Sequence, residues 1–155
     1  MSLSLRLELA VEAQISRDAA SRARLRVASQ WYWTAEAEAD PVQKYIGYWL
    51  VLEALALGEG SDIRPLRESL STILRVSVTS VKVPLGRLYG TRSGLVHGSV
   101  RSVDPGKVAK VRALAIALLE YHTLNFVSPS RMTDVADALG LQLPTSEPPM
   151  FGRKI

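Results

Sequence analysis

The apolar residues of this chain recur mostly at helical spacing. Val42, Tyr45, Ile46, Trp49, Leu50 and Leu57 form one stripe between Asp40-Pro41 and Gly58-Glu59-Gly60, three or four apart as an amphipathic helix requires. Asp40 offers an N-cap acceptor, and Pro41 presets the first helical residue. Asp104-Pro105 repeats that start, and Val108, Val111, Ala115, Leu118, His122 and Phe126 predict one face of a long helix ending before Ser128-Pro129. Ahead of both, residues 17–39 are rich in alanine and arginine and predict another helix. Shorter helices are predicted over Arg64–Arg75, Leu85–His97 and Thr133–Leu139, the last capped by Gly140. The second of these holds Gly86, Gly90 and Gly94, each unfavourable inside a helix by about 1 kcal/mol relative to alanine. Glycines four apart also let a neighbouring backbone come close, so tight packing is expected to compensate.

One stretch departs from this scheme. Leu3, Leu5, Leu7 and Leu9 alternate with other residues at strand periodicity, with no partner strand in view. Residues 1–16 therefore read as the end of a neighbouring domain or a helix start. The expected fold is all-α, a bundle of four to five main helices over residues 17–140, with a C-terminal tail over 141–155 that contains Pro148-Pro149.

Composition narrows the function classes. A chain of 155 residues is long enough for one domain with a real core. No apolar run reaches the 18 or so residues of a membrane span, and nothing at the N-terminus has secretory form, so a cytoplasmic protein with no membrane partner is expected. The absence of cysteine removes disulfides, thiolate nucleophiles and cysteine zinc sites. No cofactor is expected, because the chain has no phosphate-binding glycine loop, no paired-carboxylate site and no metal triad.

The net charge of +4 is unevenly spread. Lys82, Arg87, Arg92, Arg101, Lys107, Lys110 and Arg112 cluster in one segment against Asp104 alone. Such an excess attracts an anionic partner such as RNA, with Lys82, Arg87, Arg101 and Lys107 as the candidate contacts. The plainer reading is a solvated basic face.

Inside that segment lies Arg92-Ser93-Gly94-Leu95-Val96-His97, followed by Gly98. An imidazole moves protons near neutral pH, and a guanidinium holds phosphate. Together they can cut a phosphodiester without metal, with the 2′-hydroxyl of RNA as nucleophile. Five positions separate the two residues by about 140° around an ideal helix, so a frayed last turn or a second chain must bring them to one phosphate. The alternative for His97 is a surface histidine near a C-cap. Glu53 sits on the apolar stripe of its helix, where an unpaired carboxylate is costly. It either orients Arg92 or His97 from behind or forms a structural ion pair. His122 reads as a core histidine. Trp31, Tyr32 and Trp33 offer base stacking or, more plainly, core packing.

The wording around the motif carries a resemblance. Tyr89-Gly90-Thr91-Arg92-Ser93-Gly94-Leu95-Val96-His97-Gly98 resembles the Tyr-x-x-Arg-polar-x-hydrophobic-Val-His-Gly pattern of HEPN domains, the Apea-like branch in particular. Trp49-Leu50-Val51-Leu52-Glu53-Ala54-Leu55 resembles that branch's helix with its Leu-Glu-Ala-Leu core. The resemblance spans roughly residues 17–127. It implies a helical bundle, usually dimeric, with the arginine–histidine motifs facing a cleft between protomers. Many such domains are metal-independent endoribonucleases of defence or toxin–antitoxin systems, so an antitoxin or an adjacent domain joins RNA and a second copy among the implied partners. Carried over by position, Arg92 and His97 are catalytic, Ser93 is the polar neighbour of the arginine, and Glu53 supports them. Serine stands where asparagine or aspartate is usual, and Ser99 stands where some toxins carry a modified tyrosine. The second reading is a non-catalytic module of the same fold that binds RNA or nucleotides or mediates assembly.

Overall fold

The computed structural model describes residues 18–57 and 62–144. Its elements are α1 (Ala19–Ala37), α2 (Pro41–Leu52), a π-helical turn (Glu53–Leu57), α3 (Arg64–Leu74), α4 (Val78–His97), α5 (Pro105–Leu124) and α6 (Pro129–Leu139), with no strand among the described residues. The chain is an all-α bundle. The strand-like Leu3–Leu9 stretch and most of the tail lie outside the described residues.

Local cap chemistry sets most of the starts. The side chains of Asp18, Asp40 and Asp104 accept from the backbone N–H groups of Ser21, Val42 and Lys107, satisfying donors that a helix start leaves open. Three elements differ from the sequence expectation. α4 begins at Val78 rather than Leu85 and carries Pro84 in its interior. Ser77 caps that earlier start, and burial of Val81, Leu85 and Leu88 carries the helix through a proline that costs it one hydrogen bond. α6 begins at Pro129 rather than Thr133, after Ser128. α5 stops at Leu124, where Asn125 turns left-handed with φ 53°, so Phe126 lies beyond the helix and is exposed.

α5 is the axis of the core. Every residue from Leu114 to Glu120 is buried, so the helix is enclosed on all sides instead of showing one apolar face. α1 and α2 pack as a pair against it, and α6 closes its other side. The stripe on α2 is also wider than the sequence spacing shows. Tyr45, Tyr48, Trp49, Val51 and Leu52 are all buried, whereas Leu50 and Leu57 are only partly so. In the aromatic cluster of α1 only Tyr32 is core, and Trp31 and Trp33 remain exposed.

Two polar clamps tie the helices together. Glu36 Oε1 accepts from Tyr48 Oη at 2.6 Å and from Arg112 Nε at 2.7 Å, joining α1, α2 and α5. Burial pushes the Glu36 carboxyl up, but the bonds from Arg112 and Tyr48 outweigh it and hold the group below its ordinary value. On the other side Glu120 is almost fully buried and accepts from the Ser128 backbone N–H and from Arg131 Nε, fixing α6 against α5.

The glycines divide by what surrounds them. A Cβ on Gly47 would stand 2.8 Å from the Ala35 Cβ, so glycine lets α1 and α2 touch there. A Cβ on Gly94 would stand 2.5 Å from Val100 Cγ2. Around Gly86 and Gly90 nothing lies within 4 Å, so tight packing does not explain them within this chain. Gly86→Ala and Gly90→Ala are each expected to stabilise the fold by about 0.5–1 kcal/mol, read as a rise of roughly 2–4 °C in Tm. Gly47→Ala lowers Tm in the same assay. A fall on replacing Gly90 contradicts the open surroundings.

Candidate functional site

The candidate site is built where α2 and α4 run side by side. Tyr45 Oη donates to the Leu88 carbonyl at 2.6 Å. One turn on along α2 and one residue on along α4, the Trp49 and Tyr89 rings lie 5.9 Å apart. A further turn brings Glu53 to Arg92, with Oε1 and Nη2 2.9 Å apart. The three contacts climb both helices in the same direction, so burial of Tyr45 and Trp49 aligns the two helices and thereby sets Glu53 opposite Arg92.

Glu53 is held from two sides. Trp49 Nε1 donates to the same Oε1 at 3.0 Å, an i to i+4 pair on one helical face. Regular α2 ends at Leu52, and the π turn opens at Glu53 itself. A π turn widens the helix and re-aims the side chains around it, and such turns recur at functional sites. Both side chains of the ion pair are about a quarter exposed, 26% for Arg92 and 27% for Glu53. The arginine is therefore held by an ion pair while part of its side chain still meets solvent. Its remaining N–H groups can receive an anion.

His97 is the last residue of α4 and is exposed. Gly98, at φ 76°, ends the helix in the left-handed conformation that favours glycine. The chain then folds back: the Val100 N–H donates to the Gly94 carbonyl at 3.0 Å, and Val100 covers Gly94. This return presents His97 at an outward corner. Among the described residues no hydrogen bond or ion pair joins His97 to Arg92 or Glu53. One chain thus assembles Glu53 with Arg92 and leaves His97 on the surface nearby in sequence. Ser93 is half-buried, and its side chain makes no hydrogen bond among the described residues.

The basic segment is sorted by the fold. Arg87 and Lys107 line one cleft with Lys110, whereas Lys82 and Arg101 are exposed outside it. Arg112 belongs to the Glu36 clamp. His122 is half-buried with its ring edge-on to Tyr121 at 5.4 Å, and it lines a small cleft with Leu25 and Leu55. Among the described residues no group of three histidine, aspartate or glutamate side chains is placed to hold a metal ion, and no helix is long and apolar enough to cross a membrane.

Sequence spacing alone did not reveal the role of Trp49. It read as one more stripe residue, although its position four before Glu53 was the available signal. The π turn and the cleft had no local signal. No family model, no curated protein and no solved structure matches the chain.

Proposed function

We propose that this protein is an endoribonuclease of the HEPN type that needs no metal and works as a homodimer, in a defence or toxin–antitoxin setting. The observation that carries the reading is the Arg92–Glu53 pair at 2.9 Å, braced by Trp49 at the π turn. It supplies what phosphoryl chemistry asks of a protein: a cation held in advance where charge develops on the phosphate.

The expected reaction uses the substrate's own nucleophile. His97 takes the proton of the 2′-hydroxyl as the oxygen attacks the adjacent phosphorus. Arg92 stabilises the pentacovalent phosphorane. The bond from phosphorus to the 5′-oxygen breaks, the proton held by His97 passes through water to that oxygen, and the product ends in a 2′,3′-cyclic phosphate. The outward corner at His97 supports the homodimer reading, because a second copy is the simplest source of a histidine for each Arg92. Antitoxin or sensor partners follow only from the family resemblance.

The test is incubation of purified protein with mixed RNA in the presence of a chelator. Wild type is expected to leave cyclic phosphate ends, and His97→Ala and Arg92→Ala to abolish cleavage with helix content unchanged. Equal cleavage by all three removes the catalytic assignment. The second reading, a non-catalytic RNA-binding module, is favoured by the lack of any bond between His97 and Arg92 within the chain. RNA binding without cleavage by wild type selects it.

A further inference from the structure

A cleft of about 580 Å³ opens between α4, the first half of α5 and the end of α6, within the size range of ligand sites. Arg87 projects from α4, and Lys107 and Lys110 lie one turn apart on α5. Opposite them stands Asp137, so the cleft holds three cations against one carboxylate. Among the described residues no carboxylate comes within ion-pair distance of Arg87, Lys107 or Lys110. Lys107 Nζ donates to Thr91 Oγ1 at 3.3 Å, which aims its ammonium along the cleft wall. The floor is apolar, with Leu88 and Leu139.

The chemistry of these walls favours a strand over a small phosphate compound. A terminal phosphate is usually held by several backbone N–H groups at a helix start. Here α5 begins with Pro105, which has no N–H, and the Lys107 N–H is already taken by the Asp104 side chain at 3.0 Å. What the cleft offers is single cations on two of its walls, Arg87 on α4 and Lys107 and Lys110 on α5, which suits successive diester phosphates carrying one charge each. Arg87 precedes Arg92 by five residues on the same helix, about 7.5 Å of rise and about 140° of turn, so a strand passing from one to the other must wrap part of the way around α4. A strand lying in the cleft is therefore within a few nucleotides of the proposed cutting site.

We propose that this cleft, with Arg87, Lys107 and Lys110, holds the phosphodiester backbone of the RNA strand flanking the scission point, and so sets the substrate length the protein needs. The inference rests on the ribonuclease reading for the identity of the strand, but its test reads binding rather than cleavage. The probe is a fluorescent 2′-O-methyl RNA 12-mer, which has no free nucleophile, titrated by anisotropy against the full chain at several salt concentrations. Replacing Arg87, Lys107 and Lys110 together by glutamine is expected to weaken binding at least ~10-fold and to lower the salt slope by about 2. Removing as many charges elsewhere, at Arg24, Arg26 and Arg64, is expected to change the affinity less than ~3-fold, which also corrects for net charge. Circular dichroism confirms that each variant is folded.

Unchanged affinity and slope in the cleft variant overturn the proposal even if His97→Ala still abolishes cleavage, and so does failure of wild type to bind the 12-mer. Adenosine monophosphate competing as well as the 12-mer also overturns it, in favour of a free-nucleotide pocket. Conversely, loss of binding in the cleft variant while His97→Ala cleaves normally keeps the cleft and removes the catalytic assignment of His97.

Discussion

Glu53→Ala is expected to lower RNA cleavage at least ~100-fold, chiefly in kcat, because Arg92 loses the partner that fixes it. The Arg92 side chain is about three-quarters buried and ion-paired with Glu53 Oε1 at 2.9 Å. Without the carboxylate it must stay buried and unpaired or swing into solvent, and either outcome misplaces it. Trp49 Nε1 loses its acceptor as well. Glu53→Gln keeps an oxygen for both donors and is expected to retain about a tenth of the activity, since the geometry survives and the charge does not. That partial rescue separates positioning from a structural ion pair. Were Glu53→Ala to cut RNA within threefold of wild type while Arg92→Ala is inactive, Glu53 would have no part in holding the arginine. Equal loss of activity in both Glu53 variants, with a matching fall in Tm, assigns the pair to the fold alone.

The second large effect falls on stability. Arg131→Ala leaves the Glu120 carboxylate, only 5% exposed, with the Ser128 N–H as its one recorded partner. Stranding a buried charge in this way costs about 3–5 kcal/mol when the pair is fully enclosed. Arg131 is 31% exposed, so about 2–3 kcal/mol is expected once screening by solvent is allowed for. In a domain of this size that lowers Tm by roughly 6–10 °C. Replacing both partners by apolar residues, as in Glu120→Met with Arg131→Leu, is expected to recover most of the loss, because no charge is then left buried. A single variant that melts within 2 °C of wild type means that water reaches Glu120, and the clamp then adds little to the fold.

Both predictions depend on contacts between helices, and these were the least legible part of the sequence. The helix starts at Pro41 and Pro105 were readable because an aspartate cap and a following proline act within one turn. The same reasoning misplaced the start of α4, since Pro84 looks like a boundary when only its neighbours are considered. Burial of Val81 and Leu85 outweighed it. It also assigned one face to α5, because spacing shows which positions are apolar but not how many neighbours enclose them. Glu53 was legible as an anomaly, a carboxylate on an apolar stripe, and Arg92 was one of two partners offered for it.

The all-α class and the capped starts of α1, α2 and α5 were determined by the sequence itself, through interactions that reach only a few positions along the chain, and Glu53, Arg92 and His97 stood out there as candidates. Only the tertiary structure decided that Glu53 takes Arg92 and not His97, that Trp49 braces it, and that Arg87, Lys107 and Lys110 share a cleft while Lys82 and Arg101 do not. Those outcomes follow from how buried aromatic residues align α2 with α4 and how α6 closes against α5. Helix-to-helix alignment is fixed by side-chain packing over the whole core, and no local pattern encodes it.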